Sequence, residues 1–364
     1  MQKILTVVGA RPQFVKAATL SRAFANHPDH VKEIIVHTGQ HFDQNMSDIF
    51  FDEMDIPKPD YNLNINGLSH GAMTGQMLEG IEKIIISDKP GCVLVYGDTN
   101  STLAGALAAK KLHVAVVHIE AGLRSYNMQM PEEINRILTD RISDILFCPT
   151  DTAVNNLKSE GFDSFKTEIV LSGDVMHDAA LYYKAKSDKQ SNVLKENRVR
   201  SGEFVLATIH RAENTDNEKT LQEIVHALNK INESVQVIVP VHPRTAGLLK
   251  AGNIDAQFSM IKPVGYLDML QLISNARLVL TDSGGLQKEA YFFGKHCLTL
   301  RNETEWVELV NNGYNDVVGT SFDRIIEAFD NSINKTFIKS RELYGTGNAA
   351  EIICDYLLQK AWPA

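Results

Sequence analysis

Along the first half of the chain, short apolar runs alternate with longer stretches in which apolar residues recur every three or four positions. The short runs are Lys3 to Val8, Glu33 to Thr38, Cys92 to Tyr96, Val114 to His118 and Ile145 to Cys148. Their length and their polar or glycine borders are those of buried strands. Helical spacing runs from Arg11 to Asn26, from Ser69 to Ser87, through an alanine-rich stretch ending near Lys111, and from Pro131 to about Ser143. In the second of these, Met73, Met77, Ile81, Ile84 and Ile85 mark one face. Pro12 and Pro131 stand in first helical turns, where a missing N–H costs nothing. Single apolar strands alternating with helices predict a parallel, doubly wound sheet.

The pattern pauses from Leu171 to Asp178, and a polar, lysine-rich segment follows to about Glu203. A second series then begins, with strands expected at Phe204 to Ile209, Val235 to Val241, Arg277 to Thr281 and His296 to Leu300. A last helix is expected from about Ala349 to Trp362. The fold class is therefore α/β, with two Rossmann-like doubly wound domains at 1–172 and 173–345 and a terminal helix in 346–364. Two such sheets predict a cleft between facing carboxyl ends of strands.

The polar clusters fall at those strand ends. Gly9-Ala10-Arg11 is a tight strand-to-helix turn that can turn amides toward an anion, with Arg11 and Lys16 near it. The three-glycine dinucleotide spacing is absent there. Gly97-Asp98-Thr99-Asn100-Ser101-Thr102 opens the alanine-rich helix with Asp98 as its expected N-cap, a role that would account for an Asp by itself. His118 to Arg136 is longer than an ordinary βα connection and gathers Glu120, Gly122, Arg124, Glu132, Glu133 and Arg136. In the second half, His210 follows a strand, and Asp282-Ser283-Gly284-Gly285 is strand, glycine turn, helix. Such a turn lets backbone approach a phosphate, and Glu289 one turn on can accept ribose hydroxyls. With no Walker lysine it suits a diphosphate rather than a triphosphate. Asp98, Glu120 and Glu132 are three carboxylates suited to moving protons, and His210 to acting as an acid or as a cationic partner for a leaving phosphate.

Composition narrows the classes. A content of 44% hydrophobic and 22% charged residues is that of a globular protein able to bury a core. A net charge of −9 argues against nucleic acid or a membrane surface as partner, so an anion must be met by a local basic pocket. No run approaches the roughly 18 apolar residues of a membrane helix. The first residues do not read as a signal peptide, since Gly9-Ala10-Arg11-Pro12 interrupts a short apolar run. Cys92, Cys148, Cys297 and Cys354 lack metal spacing, so no metal is expected. The expected compartment is the cytoplasm.

Taken together, Gly9-Ala10-Arg11-Pro12, Gly97-Asp98-Thr99-Asn100-Ser101-Thr102, His118-Ile119-Glu120-Ala121-Gly122-Leu123-Arg124, Pro131-Glu132-Glu133-Ile134-Asn135-Arg136 and Asp282-Ser283-Gly284-Gly285 resemble the non-hydrolysing UDP-N-acetylglucosamine 2-epimerases, in one order over nearly the whole chain. The resemblance implies a glycosyltransferase-B arrangement, a homodimer, no metal or nicotinamide cofactor, and a C-terminal helix packing back on the first domain. It implies removal of the sugar C2 proton as UDP leaves C1, a 2-acetamidoglucal intermediate, and re-addition of UDP, supplying surface-polysaccharide precursors. It assigns catalysis to Asp98, Glu120, Glu132 and His210, and UDP-sugar contacts to Arg11, Lys16, Arg136, Ser283, Gly284, Gly285 and Glu289.

Departures bear on the substrate. After Glu305, Trp306 stands at the position where the common epimerases carry an arginine-proline pair, and the segment Gln40 to Met46 is longer than usual. No arginine occurs between Asn66 and Glu82, where allosterically regulated members hold a second UDP-sugar. Trp306 and Arg124-Ser125-Tyr126-Asn127 resemble the branch acting on UDP-2,3-diacetamido-2,3-dideoxy-glucuronic acid. UDP-N-acetylglucosamine is the first expected substrate and that glucuronic acid the alternative. A hydrolysing 2-epimerase, a glycosyltransferase of the same fold and a catalytically silent nucleotide-sugar sensor are the rival readings.

Overall fold

The computed structural model describes residues 1–40 and 55–362, so the lengthened segment from His41 to Met46 lies outside the described residues. By compactness the chain divides into two units, residues 1–179 with 342–364, and residues 180–341. The sequence pattern put the divisions at 172/173 and 345/346. The first falls instead inside a continuous helix, Val175–Gln190, built from the polar segment that the pattern left without structure.

In the first unit, seven parallel strands run β1 (Gln2–Val8), β2 (Val31–His37), β3 (Tyr61–Asn62), β4 (Cys92–Tyr96), β5 (Ala115–Ile119), β6 (Ile145–Cys148) and β7 (Glu168–Leu171). Their order across the sheet is β3-β2-β1-β4-β5-β6-β7. The second unit repeats the plan with β8 (Phe204–Thr208), β9 (Gln236–Pro240), β10 (Ser259–Ile261), β11 (Leu278–Thr281), β12 (Cys297–Thr299) and β13 (Asn315–Val317), in the order β10-β9-β8-β11-β12-β13. Every pairing is parallel. Both units are Rossmann-like, as the alternation of strands and helices required. Parallel strands covered on both faces read as unbroken apolar runs, and all residues of β4 and β8 are buried.

Strand order reverses between β1 and β4 in one sheet and between β8 and β11 in the other. The carboxyl ends at such a reversal diverge and leave a crevice, the usual ligand position of an open α/β sheet. Gly9, Gly97 and Asp98 follow the first pair of strands, and His210 and Asp282 follow the second.

The helix Ala349–Leu358 belongs to the first unit. It buries Ile353, Cys354 and Leu357, and Tyr356 meets Phe147 edge-on at 5.5 Å between ring centroids. Lys360 pairs with Glu168 at 2.5 Å, and the Gln2 side chain donates to the Lys360 carbonyl at 2.6 Å. At the helix start the Ala350 amide donates to the Asp178 carboxylate at 2.7 Å.

Burial raises the Asp178 carboxyl to about 6, against amide bonds from Ala350 and Ala349 that pull it down. Its folded value lies above the ordinary ~3.9, so the folded state holds a proton that the unfolded chain releases. This stabilisation is complete below about pH 4 and is lost as pH rises through about 6. Asp178→Asn keeps an acceptor for Ala350 without the charge. Thermal melts should show the variant level with the parent near pH 4 and more stable by roughly 1–3 kcal/mol near pH 8. A variant less stable at pH 8 would contradict this account.

Candidate functional site

At the first reversal, Gly9 leaves β1 where a Cβ would collide with the Thr38 and Ser101 hydroxyls. Gln13, one turn into the helix Arg11–Ala25, ties the two strand ends together. Its carbonyl oxygen accepts the amides of Gly9 at 2.8 Å and Ala10 at 3.1 Å. Its amide nitrogen donates to the Tyr96 carbonyl at 2.7 Å and to the Thr99 and Thr102 hydroxyls, each at 2.9 Å. The N-cap of the helix Asn100–Lys111 is Thr99, whose hydroxyl accepts from the Thr102 amide. The expectation that Asp98 caps this helix is therefore corrected. The hydroxyl one residue later fills that role, and the Asp98 carboxylate pairs instead with Arg136.

The helix Pro131–Ile142 brings Arg136 there. Arg136 also pairs with Glu133 at 2.7 Å, and Asn135 donates to the Asp98 carbonyl at 2.9 Å. Glu133 is fully buried and accepts the Tyr126 amide at 2.8 Å and the Ser125 amide at 3.0 Å. Burial would raise its carboxyl, but these amides and Arg136 outweigh it and hold it below the ordinary range. Its neighbour Glu132 is exposed, on the face shared with Asn135 and Arg136 three and four positions on. The adjacent glutamates thus divide: Glu133 braces the loop and Glu132 faces solvent.

Glu120 follows β5 with φ of +70°, a left-handed conformation that a side chain adopts only when its surroundings enforce it. Its carboxylate pairs with Lys16, and both side chains are less than a tenth exposed. Gly97, also left-handed at φ +62°, packs beside that pair, since a Cβ on it would sit 3.4 Å from both charged groups. Lys16, Glu120, Asp98 and Arg136 are thus gathered around the Gly97-Asp98 peptide.

What enforces the geometry is a buried network that sequence reasoning missed. His118 Nδ1 lies 2.7 Å from Asp140 Oδ1, and Nε2 lies 2.7 Å from the Gly97 carbonyl. Both ring nitrogens are thus engaged, and the ring bridges Asp140 to the Gly97 peptide. The other Asp140 oxygen accepts the Gly122 amide at 3.1 Å and Arg124 at 2.7 Å, and Arg124 forks onto Glu160 at 2.6 and 2.8 Å. Burial pushes the Asp140 carboxyl up, but His118 and Arg124 overcome it and hold it low. Asp140 lay nine residues beyond Pro131 in a helical stretch, with no local motif to single it out.

At the second reversal, His210 is about half exposed, and its Nδ1 lies 2.8 Å from Asp282 Oδ1. The other Asp282 oxygen accepts the amides of His210 at 2.9 Å and Arg211 at 3.0 Å and the Asn214 side chain at 3.1 Å. Burial raises this carboxyl too, and His210 with the two amides more than reverses the effect. Ser283 precedes the helix Gly284–Phe292 without its hydroxyl capping it. Gly285 is exposed, whereas Glu289 is buried within the helix. The turn is backed by Trp306, whose indole N–H donates to the Gly284 carbonyl at 2.9 Å, and by Lys288, 4.2 Å from the Trp306 ring centroid. Among the described residues, no group of three or more His, Cys, Asp or Glu could hold a metal, and no helix is long and apolar enough to cross a membrane.

Two strand-end sites of this make, each with its own buried aspartate and histidine, can be compared with known proteins. The family model described as UDP-N-acetylglucosamine 2-epimerase matches residues 22–358. The chain belongs to the UDP-N-acetylglucosamine 2-epimerase family. Its relatives within that family include the UDP-2,3-diacetamido-2,3-dideoxy-D-glucuronate 2-epimerase of Pseudomonas aeruginosa, 55% identical over 98% of this chain and 99% of that one. The solved Methanocaldococcus jannaschii UDP-GlcNAc 2-epimerase, in complex with UDP-GlcNAc and UDP, is similar with a TM-score of 0.85 and 41% identity, covering 98% of each chain. The Neisseria meningitidis UDP-GlcNAc 2-epimerase bound to UDP-GlcNAc has a TM-score of 0.87 and 31% identity, covering 99% of this chain and 100% of that one. Epimerases of this family are isomerases, and the chain is accordingly an enzyme of that class.

Truncating Asp140 would leave the buried Arg124 with only one of its two carboxylates and the His118 ring without its partner. Asp140→Ala should cost about 3–5 kcal/mol in urea unfolding. Glu160→Ala, at the partly exposed end of the same network, should cost about 1 kcal/mol or less. Equal losses would show that burial is not what makes Asp140 matter.

Proposed function

We propose that the protein inverts C2 of a UDP-linked 2-acetamido sugar by eliminating UDP and adding it back. The observation that carries this reading is the pair of charge-matched carboxylates at the first reversal, Asp98 with Arg136 and Glu120 with Lys16. Inversion at C2 needs one proton removed from one face and another delivered to the opposite face. As the C2–H bond breaks, its electrons form the C1–C2 double bond, and the C1–O bond breaks with its electrons leaving on UDP. The product of this half is 2-acetamidoglucal, and the reverse addition follows reprotonation. Asp98, with a side chain about a third exposed, and Glu132, exposed beside Arg136, are accessible for these transfers. Glu120 is held by Lys16 and acts from a fixed position.

In the second unit, Ser283, Gly284 and Gly285 offer amides and a hydroxyl to the UDP diphosphate at a helix N-terminus, and Glu289 is assigned to the nucleotide's ribose. His210, anchored through Nδ1 to Asp282, keeps Nε2 for the departing phosphate. Arg11 and Lys16, both in the first unit's first helix, are the cations assigned to the UDP-sugar. The acting form is a homodimer in the cytoplasm, without metal or nicotinamide, serving surface-polysaccharide synthesis.

A second reading of the substrate is favoured by one observation. Identity to the Pseudomonas aeruginosa enzyme is 55%, against 42% to the Methanocaldococcus jannaschii UDP-N-acetylglucosamine 2-epimerase. This supports UDP-2,3-diacetamido-2,3-dideoxy-glucuronic acid over UDP-N-acetylglucosamine. Assayed side by side, the diacetamido glucuronic acid should give the higher kcat/KM. A clear preference for UDP-N-acetylglucosamine would return the first reading.

The chemistry is tested in deuterated water, where proton NMR should find label at C2 of the product. Asp98→Asn, Glu120→Gln and Glu132→Gln should each keep UDP binding and lose about a hundredfold or more in turnover, the low end for general acid–base catalysis. Unlabelled product together with near-normal rates in all three variants would sink the elimination–addition reading.

A further inference from the structure

The turn assigned to the diphosphate already holds an anion of its own. A Cβ on Gly284 would collide with the Glu305 carboxylate, so the space that glycine leaves open at the start of the helix is filled by Glu305. The other Glu305 oxygen accepts from Arg301 Nη1 at 3.0 Å. Arg301 follows β12 with only 4% of its side chain exposed, and its buried Nε has no acceptor among the described residues. A guanidinium carries five N–H donors in a fork that fits a phosphate at least as well as a carboxylate. A buried Arg that meets its partner through Nη1 and leaves Nε without an acceptor therefore has donor capacity to spare.

The loop carrying Glu305 is pinned on both sides of it. The Thr304 hydroxyl donates to Gln287 at 2.6 Å, and the Trp306 indole to the Gly284 carbonyl at 2.9 Å. Glu305 itself is the freer member, with 18% of its side chain exposed and no helix fixing its rotamer. Rotation of that one side chain vacates the seat while the loop stays in place.

We propose that Glu305 is an internal stand-in for phosphate: its carboxylate occupies the seat beside Gly284 that a nucleoside diphosphate takes, and Arg301 passes from Glu305 to the nucleotide. The inference rests on the nucleotide reading above and adds two residues to it, one that binds and one that competes. Competition lowers apparent affinity in proportion to the time the seat is filled. It also makes release of the diphosphate easier, because a carboxylate is at hand to take its place on Arg301.

Calorimetry with UDP and with uridine decides it, using the full chain and its Glu305→Gln, Glu305→Asp and Arg301→Met variants, each checked for folding by circular dichroism. Glu305→Gln removes the competing charge and should bind UDP about fivefold or more tightly than the parent, with uridine affinity unchanged. Glu305→Asp, too short to reach the seat, should shift the same way and serves if the amide variant does not fold. Arg301→Met should bind UDP about tenfold or more weakly and uridine as before. If the parent binds UDP but both Glu305 variants bind it equally or more weakly, Glu305 supports the turn and the proposal falls while the nucleotide reading stands. Should Glu305→Gln change uridine and UDP affinity alike, the effect is not on phosphate and the proposal falls as well. A parent that binds no UDP overturns the nucleotide reading itself. Trp306 gives an independent signal: in a Trp362→Phe background, its fluorescence should change on adding UDP and not on adding uridine.

Discussion

One carboxylate with no exposed surface, that of Asp140, holds the first site in shape. It gathers His118, the Gly122 amide and Arg124, which belong to a strand, a turn and a loop with no other reason to converge. A buried charge is tolerable only when its hydrogen-bonding capacity is filled, and filling it fixes the position of every donor. His118 passes the constraint to the Gly97 carbonyl, next to Asp98, and the Gly122 amide passes it to the turn that carries Glu120. Glu120 is held at a positive φ because the segments before and after it are both anchored to the same carboxylate.

The second unit uses the same device with a different outcome. Asp282 is also completely buried and also meets a histidine ring and backbone amides at a strand end. The difference lies in the histidine. His118 is buried with both nitrogens engaged, whereas His210 is about half exposed and engaged at Nδ1. A ring used at both nitrogens can only position its neighbours, while a ring anchored at one can present the other to a ligand. Sequence spacing does not separate the two cases; burial does.

The architecture was legible because parallel strands covered on both faces are unbroken apolar runs, and nearly all central strands stood out as such. The edge strands Tyr61–Asn62, Glu168–Leu171, Ser259–Ile261 and Asn315–Val317 did not, being two to four residues long and partly polar. The lysine-rich segment read as a pause because its helix, Val175–Gln190, has no apolar face of regular period. At the site, residues next to glycine turns or strand ends could be picked out from type and spacing alone. Thr99 displaced Asp98 as the cap because either residue type suits that position and only the ion pair to Arg136 decides between them. Asp140, Gln13 and the Arg301–Glu305 pair were hidden because each acts across the fold on partners remote in sequence or of unremarkable local pattern.

The first unit is interrupted: residues 180–341 are inserted into it, and its last helix comes from residues beyond them. During synthesis the surface that receives Ile353, Cys354 and Leu357 is complete long before those residues leave the ribosome. Domains generally fold in order of emergence at about 5–20 residues per second, so that apolar surface waits for roughly ten seconds or more with nothing on it. The second unit, a continuous segment, suffers no such delay and can finish while the first is still open. The side chain of Gln2 then closes onto the Lys360 carbonyl, so that a residue of the first strand waits for a partner 358 positions further along the chain.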